Sequence, residues 1–447
     1  MKNMKTISVA IVLILSLVLA ACGSNNNGGN GGNAAGDATG GATGNTSGET
    51  AANGGSDKKV KLTIYSTVND QALKDYYVEI ANAYTKENPN VTFEFQNPGN
   101  DYENILRMKM AANDLPDIFD THGWAINRYG EYLEDLSKQP WVADISESMK
   151  PIITDEAGKV YVLPLNAAKD GITYQKDVLE KYGIEVPKTI DELIAAGEKI
   201  KKDSNGEVAP FYFSGPDAAS MAQFFDYFST SLLISPKQNS AQQLLDGTFD
   251  WNKWTPLAAK FKEMYDKGLM NEDVLTSRES DRPRLFAEGK IAFVFGGPGF
   301  IPDAQKINPE VGVGIMPVPA FFPDDEPTFS GGERFTMGVF KDGKNKDIAI
   351  DVVNFFAKPE YLKRISELSG TPTAMNGITP DLGIYTEFYD KYKDIRVFPY
   401  FDRVYLPGGM WDVMQTTSAE ILGGTLSPEE SSNVYKENYE RLRSQQK

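Results

Sequence analysis

Strand and helix periods alternate across residues 60–119, and that alternation restricts the fold more than any other feature of the 447-residue chain. Val60, Leu62 and Ile64 alternate with polar residues, the period of a half-buried strand. In the loop that follows, Asn69 or Asp70 is placed to cap a helix whose apolar stripe is Leu73, Tyr77, Ile80 and Tyr84. Asn88-Pro89-Asn90 ends that helix. A second alternating run, Val91, Phe93 and Phe95, precedes an amphipathic segment over residues 102–112 and then Leu115-Pro116-Asp117-Ile118-Phe119. Strand, helix, strand, helix, strand implies parallel pairing and an α/β class. In open α/β sheets ligands sit at the carboxyl ends of strands, so the loops after Tyr65 and Phe119 are where a site is expected.

About 390 residues follow Lys58, more than one hydrophobic core usually organises, so two lobes are expected. Before them the composition is different. Residues 23–57 are almost wholly Gly, Asn, Ala, Thr and Ser, with no aromatic or large aliphatic side chain, and cannot bury enough surface to fold. As a Gly-rich coil this segment spans on the order of 30–35 Å. Ahead of it, Lys2 and Lys5 precede an aliphatic run over residues 7–21, the pattern of a signal peptide. Leu19-Ala20-Ala21-Cys22-Gly23 resembles a bacterial lipobox, which implies a diacylglyceryl group on Cys22 and an anchor in the outer face of the cytoplasmic membrane.

Cys22 is the only cysteine and His122 the only histidine. That pair of counts removes disulfides and paired-histidine metal sites, and no metal or cofactor is expected. A net charge of −17 without a basic stripe argues against nucleic acid and is compatible with a neutral ligand.

Several ordered segments then resemble the bacterial extracellular solute-binding proteins for sugars, the class that includes maltose-binding protein. They are residues 115–119 with the run 128–136 after them, read as a strand and a helix; Gly171-Ile172-Thr173-Tyr174-Gln175-Lys176-Asp177; and residues 179–193, where Gly183 closes one helix and Thr189 with Glu192 forms a capping box for the next. They continue through Phe286-Ala287-Glu288-Gly289-Lys290-Ile291-Ala292-Phe293, the turn Gly296-Gly297-Pro298-Gly299-Phe300, residues 313–319 and residues 351–360.

The resemblance implies a two-lobed periplasmic-binding-protein fold of type II, each lobe a mainly parallel sheet flanked by helices, with a ligand cleft at the hinge. The lobes would comprise residues 58–167 with 328–368, and 168–327 with 369–447. It also implies a monomer that takes a carbohydrate, an oligosaccharide in the first instance, by hinge closure. The sugar would then pass to the permease of an ABC importer.

Sugars present flat apolar faces edged by hydroxyls, so a cleft for them needs aromatic platforms and directional polar groups. Trp124 and His122 follow the 115–119 strand; Trp packed beneath the loop and a structural His are the competing readings. Asn69 and Asp70 suit ligand bonding or helix capping alike. Glu333 and Arg334 follow Gly331-Gly332, and an Arg fork suits vicinal hydroxyls or a uronate; a surface ion pair is the alternative. Tyr405, Trp411 and Asp412 flank Pro407-Gly408-Gly409, and Phe300 is the one aromatic of its turn, where the family often has tryptophan. Tyr212 and Phe213 are further cleft candidates, while Trp251 and Trp254 read as core or lobe surface. Two rival functions remain open at this level: an exported carbohydrate-active enzyme with paired carboxylates, and the same fold holding a non-sugar solute.

Overall fold

The computed structural model describes residues 59–445. The segment expected to be a signal peptide, Cys22 and the Gly-rich segment lie outside the described residues.

The first strand, Val60–Tyr65, buries Leu62 and Ile64 and leaves Lys61 exposed, as its alternation requires. Asp70 Oδ1 accepts the Leu73 N–H at 3.0 Å and starts the helix Gln71–Glu87, which turns Leu73, Tyr77, Ile80 and Tyr84 into the core. The strand Val91–Gln96 pairs parallel with the first, Leu62 opposite Phe93, and Ile118–Phe119 pairs parallel on its other side. Asp117 Oδ2 accepts the Thr63 N–H at 2.9 Å, so the carboxylate beside Pro116 ties its loop to the neighbouring strand. Thr336–Val339 and Leu163–Pro164 complete this sheet in antiparallel pairings. The helices Lys346–Phe356 and Pro359–Ser369 pack on it, sharing one apolar core that also takes in Ala374 and Met375.

A second core forms on another sheet, in the order Val313–Met316, Ile172–Gln175, Ile291–Phe295, Ala209–Tyr212. Its strand directions depart from the mainly parallel expectation: only Ile291–Phe295 with Ala209–Tyr212 is a parallel pair, and the other two pairings are antiparallel. The cause is connectivity. Ile172–Gln175 enters directly from the first lobe, and strands entering from opposite ends of a sheet pair antiparallel. The helix Ala219–Leu233 is buried on nearly all sides by Trp254, Phe261 and Tyr435, and Trp251 stacks on Tyr435, which places both tryptophans in core. Thr189 Oγ1 accepts the Glu192 N–H and opens the helix Ile190–Asp203.

A third, three-stranded sheet joins the lobes. Ala167–Asp170 leaves the first sheet and leads into the second, while Phe329–Glu333 runs the other way and pairs with it antiparallel; Val397–Pro399 adds a parallel third strand. The crossing strands lie so close that a Cβ on Gly331 would stand 2.1 Å from the Ala168 carbonyl oxygen, and Gly332 holds φ at 141°.

The run 128–136 is not a helix. Its backbone bonds mix spacings: Arg128 and Tyr129 N–H both donate to Trp124 O, and Tyr132 N–H donates to Tyr129 O. Tyr129 turns into the core, and its hydroxyl and the Arg128 guanidinium both reach Glu103. Among the described residues no helix is long and apolar enough to cross a membrane.

Candidate functional site

The carboxyl ends of the first sheet converge on Asp120, which is buried. Its Oδ1 accepts the His122 N–H at 3.0 Å, the Thr336 N–H at 3.2 Å and the Thr336 hydroxyl at 2.8 Å, and its Oδ2 accepts the Thr67 hydroxyl. One carboxylate therefore fixes the loops after Tyr65 and after Phe119 together with the strand that returns from the crossing sheet. The second loop turns sharply, with φ of 48° at His122 and 91° at Gly123, and presents Trp124 half-buried. His122 Nδ1 lies 3.2 Å from Glu103 Oε1, and its ring meets Trp124 edge-on at 5.6 Å. Glu103 Oε2 receives Arg128 Nη1 at 2.7 Å and the Tyr129 hydroxyl at 2.6 Å. Burial pushes the Glu103 carboxyl up, but His122, Arg128 and Tyr129 outweigh it and hold the group below the usual range.

Across from this loop stands Arg403, on the short helix Phe401–Tyr405, whose Phe401 is buried in the second core. Its guanidinium lies 5.1 Å from the Trp124 ring centroid and 4.1 Å from that of Tyr400, and its carbonyl accepts Asn127 Nδ2 at 3.4 Å. The Tyr400 hydroxyl donates to Asp170 Oδ2, and Arg334 Nη1 lies 3.9 Å from the same oxygen. Burial and the Asp170 charge push the Tyr400 phenol well above its ordinary value, so it remains a donor. Trp124, Arg403, Tyr400, Asp170 and Arg334 thus make one continuous run of ring and charge contacts from the first lobe to the crossing strands.

Behind that run lie three carboxyls. Asp226 is fully buried on the helix Ala219–Leu233; its Oδ1 accepts the Asp402 N–H at 2.8 Å, and its Oδ2 has no partner among the described residues. Burial raises both Asp226 and Asp402, and for Asp226 the neighbouring Asp402 charge adds to it. Glu333 is 1% exposed with Oε1 unpartnered, and burial pushes it up to about 7.

The residues expected from sequence divide accordingly. Trp124 and Arg334 belong to the run of contacts, His122 meets its Trp124 end edge-on, and Glu333 adjoins it but is sealed from solvent. Asp70 is engaged as a helix cap, with Asn69 exposed beside it. Phe300 is buried away from the cleft, its ring 5.2 Å from Phe286 and 4.6 Å from the Arg282 guanidinium, because the 3-10 turn Pro298–Phe300 rolls it inward. Tyr212 and Phe213 are likewise wholly buried. Tyr405 and Trp411 are half-buried on the second core, and Asp412 is exposed in the first turn of the helix Met410–Leu422. Among the described residues no hydrogen bond, ion pair or ring contact joins Trp411 or Asp412 to Trp124. Asp120, Asp170, Tyr400 and Arg403 escape a reading of sequence; their one local signal is Pro399-Tyr400-Phe401 at a strand end.

Comparison with known proteins agrees with this architecture. The family model for bacterial extracellular solute-binding protein matches residues 70–363. The melibiose/raffinose/stachyose-binding protein MelE of Bacillus subtilis strain 168 is 42% identical over 388 residues, covering 87% of this chain and 91% of its own. Among solved structures, a Bacillus subtilis binding protein in an open conformation superposes with a TM-score of 0.83 at 42% identity, over 88% of this chain and 99% of that one. A Bacillus licheniformis sugar transporter in complex with stachyose superposes with a TM-score of 0.77 at 46% identity, over 86% and 100%. The two-lobed fold of the type II periplasmic sugar-binding proteins is therefore this chain's fold, and the chain belongs to the family of bacterial extracellular solute-binding proteins.

Proposed function

We propose that the protein is the substrate-binding component of an ABC importer, holding a neutral oligosaccharide of the raffinose and stachyose class between its lobes and passing it to a permease. The observation that carries this reading is the run Trp124, Arg403, Tyr400, Asp170 and Arg334. The Trp124 platform on one lobe lies beside the hydrogen-bonding groups Tyr400, Asp170 and Arg334 at the crossing strands, with Arg403 of the other lobe between them. A ligand touching both walls makes its full set of contacts only when the lobes close, and that difference in affinity is what drives closure. The 42% identity to a melibiose, raffinose and stachyose binder over 87% of the chain supports the choice of ligand. Both cations of the run already face carboxylates or rings, which favours a neutral sugar over a uronate. The lipobox-like residues around Cys22 support acylation and a position on the outer face of the membrane, with the protein acting as a monomer; replacing Cys22 by Ala should release it from the membrane fraction.

Titration of intrinsic fluorescence tests the ligand. Trp141, Trp251 and Trp254 are buried, so the response reports Trp124 and Trp411. Saturable changes with raffinose and stachyose are expected, and flat curves with both, beside a response to a non-sugar solute, would overturn the assignment. Release of shorter sugars from stachyose during incubation would instead establish an enzyme.

A further inference from the structure

Two guanidinium groups pack on the single indole of Trp124: Arg128, with Cζ 3.9 Å from the ring centroid, and Arg403, at 5.1 Å. They are anchored very differently. Arg128 belongs to the same loop and is paired with Glu103 at 2.7 Å, in a cluster that also engages His122 and Tyr129. Arg403 arrives from the other lobe, and among the described residues its guanidinium makes no hydrogen bond and no ion pair. Room for it is provided by Gly123, where a Cβ would stand 2.3 Å from Arg403 Nη1. The glycine lets the guanidinium lie down on the loop backbone beside the ring.

A pyranose stacks on an indole by placing its apolar face at van der Waals distance from the ring, in the space a guanidinium uses for a cation–π contact. Arg128 is pinned and Arg403 is not. We infer that Arg403 is a cover that the protein itself supplies for the Trp124 platform, which a sugar displaces before it stacks. The inference rests on the sugar-binding reading above.

Three carboxyls wait on the side from which Arg403 comes. Asp402 precedes it in sequence, while Asp226 Oδ2 and Glu333 Oε1 are buried acceptors without partners among the described residues. A guanidinium that leaves the indole therefore moves toward carboxyl oxygens able to accept its N–H groups. The cover also selects among ligands. A solute with no apolar ring face offers Trp124 nothing in return for the lost cation–π contact, whereas a pyranoside replaces it with stacking of similar strength.

Two measurements test this on the purified protein, one without sugar. In a Trp411→Phe background, Trp124 is the only tryptophan that is not buried. Arg403→Ala should then raise acrylamide quenching of the remaining accessible fluorescence about twofold or more, and an unchanged quenching constant overturns the cover whatever the ligand. In the wild-type background, Arg403→Ala should tighten raffinose binding by about 3- to 10-fold, because the covered fraction no longer subtracts from the competent one. Arg403→Met, which keeps an apolar stem beside Tyr400, should shift affinity in the same direction. Weaker or unchanged raffinose binding in both variants overturns the inference by making Arg403 a sugar contact or a bystander. Absence of raffinose and stachyose binding in the wild type defeats the sugar reading, and the quenching arm still decides the cover.

Discussion

Replacing Glu333 by Gln should change how stability depends on pH, and the structure gives both the sign and the size. Glu333 ends the crossing strand Phe329–Glu333 at 1% exposure, with Oε1 unpartnered. Burial raises its carboxyl from 4.5 to about 7; a backbone N–H of Ala125 and the charge of Arg403 work against that rise, and the charge of Asp120 adds to it. The unfolded carboxyl gives up its proton near 4.5, whereas the folded one keeps it until about 7. Between those values the native state binds more protons than the unfolded state, so stability falls as pH rises through the window. At about 1.4 kcal/mol per pH unit the ionised group costs the native state about 3 kcal/mol above pH 7. Gln keeps the shape and does not titrate. Urea unfolding of wild type and Glu333→Gln, from pH 4.5 to above 7, should show the variant gaining about 3 kcal/mol on wild type as pH rises. Asp226 and Asp402 titrate in both proteins, so the difference isolates Glu333. Parallel stability curves would refute the argument.

Asp120→Ala removes the acceptor of four buried or half-buried donors and should cost about 3–5 kcal/mol in urea unfolding; a loss under about 1 kcal/mol would show that the loops hold themselves. Gly331→Ala drives a Cβ against the Ala168 carbonyl and should lower stability by about 1–3 kcal/mol while altering the sugar-induced change in small-angle scattering; a wild-type response would mean the crossing strands flex freely. Trp124→Ala should lose more raffinose affinity than Trp411→Ala, by calorimetry, and an equal or larger loss at Trp411 would move the platform to the second lobe.

What was legible in sequence was what local chemistry decides. The alternation of Leu62 and Ile64, the Asp70 cap, the Leu73, Tyr77, Ile80 and Tyr84 stripe and the Thr189 cap are each specified within a few residues, and each forms where the pattern places it. The 128–136 run fails as a helix because its side chains answer to Glu103 and the core rather than to their neighbours. Glycine loops were a partial guide to the site. Gly331-Gly332 does not say which of Glu333 and Arg334 turns inward, and the glycine turn before Phe300 does not say that its ring belongs to a core. Asp170 and Tyr400 stand 230 residues apart and meet only through the crossing sheet, so nothing near either one announces the other.

Some of the buried polar atoms that lack a partner among the described residues lie at the junction of the lobes. Asp226 Oδ2, Tyr227 OH, Ser330 Oγ and Glu333 Oε1 are buried without partners among the described residues and belong to the crossing strand and to the helix that packs on it; others, such as Tyr65 OH, Tyr77 OH and Trp254 Nε1, lie within the lobes. Each such group costs about 1–3 kcal/mol in a rigid interior. Asp120 and Glu103 in the first lobe, unlike those atoms, have their oxygens engaged by several donors. Each lobe has its own core, so rotation about the crossing strands leaves both cores intact and disturbs chiefly the contacts at the junction. On the proposed reading, a sugar makes its full set of contacts there only while both walls are in reach. That difference in contacts between separated and approached walls is the differential affinity that closes the lobes.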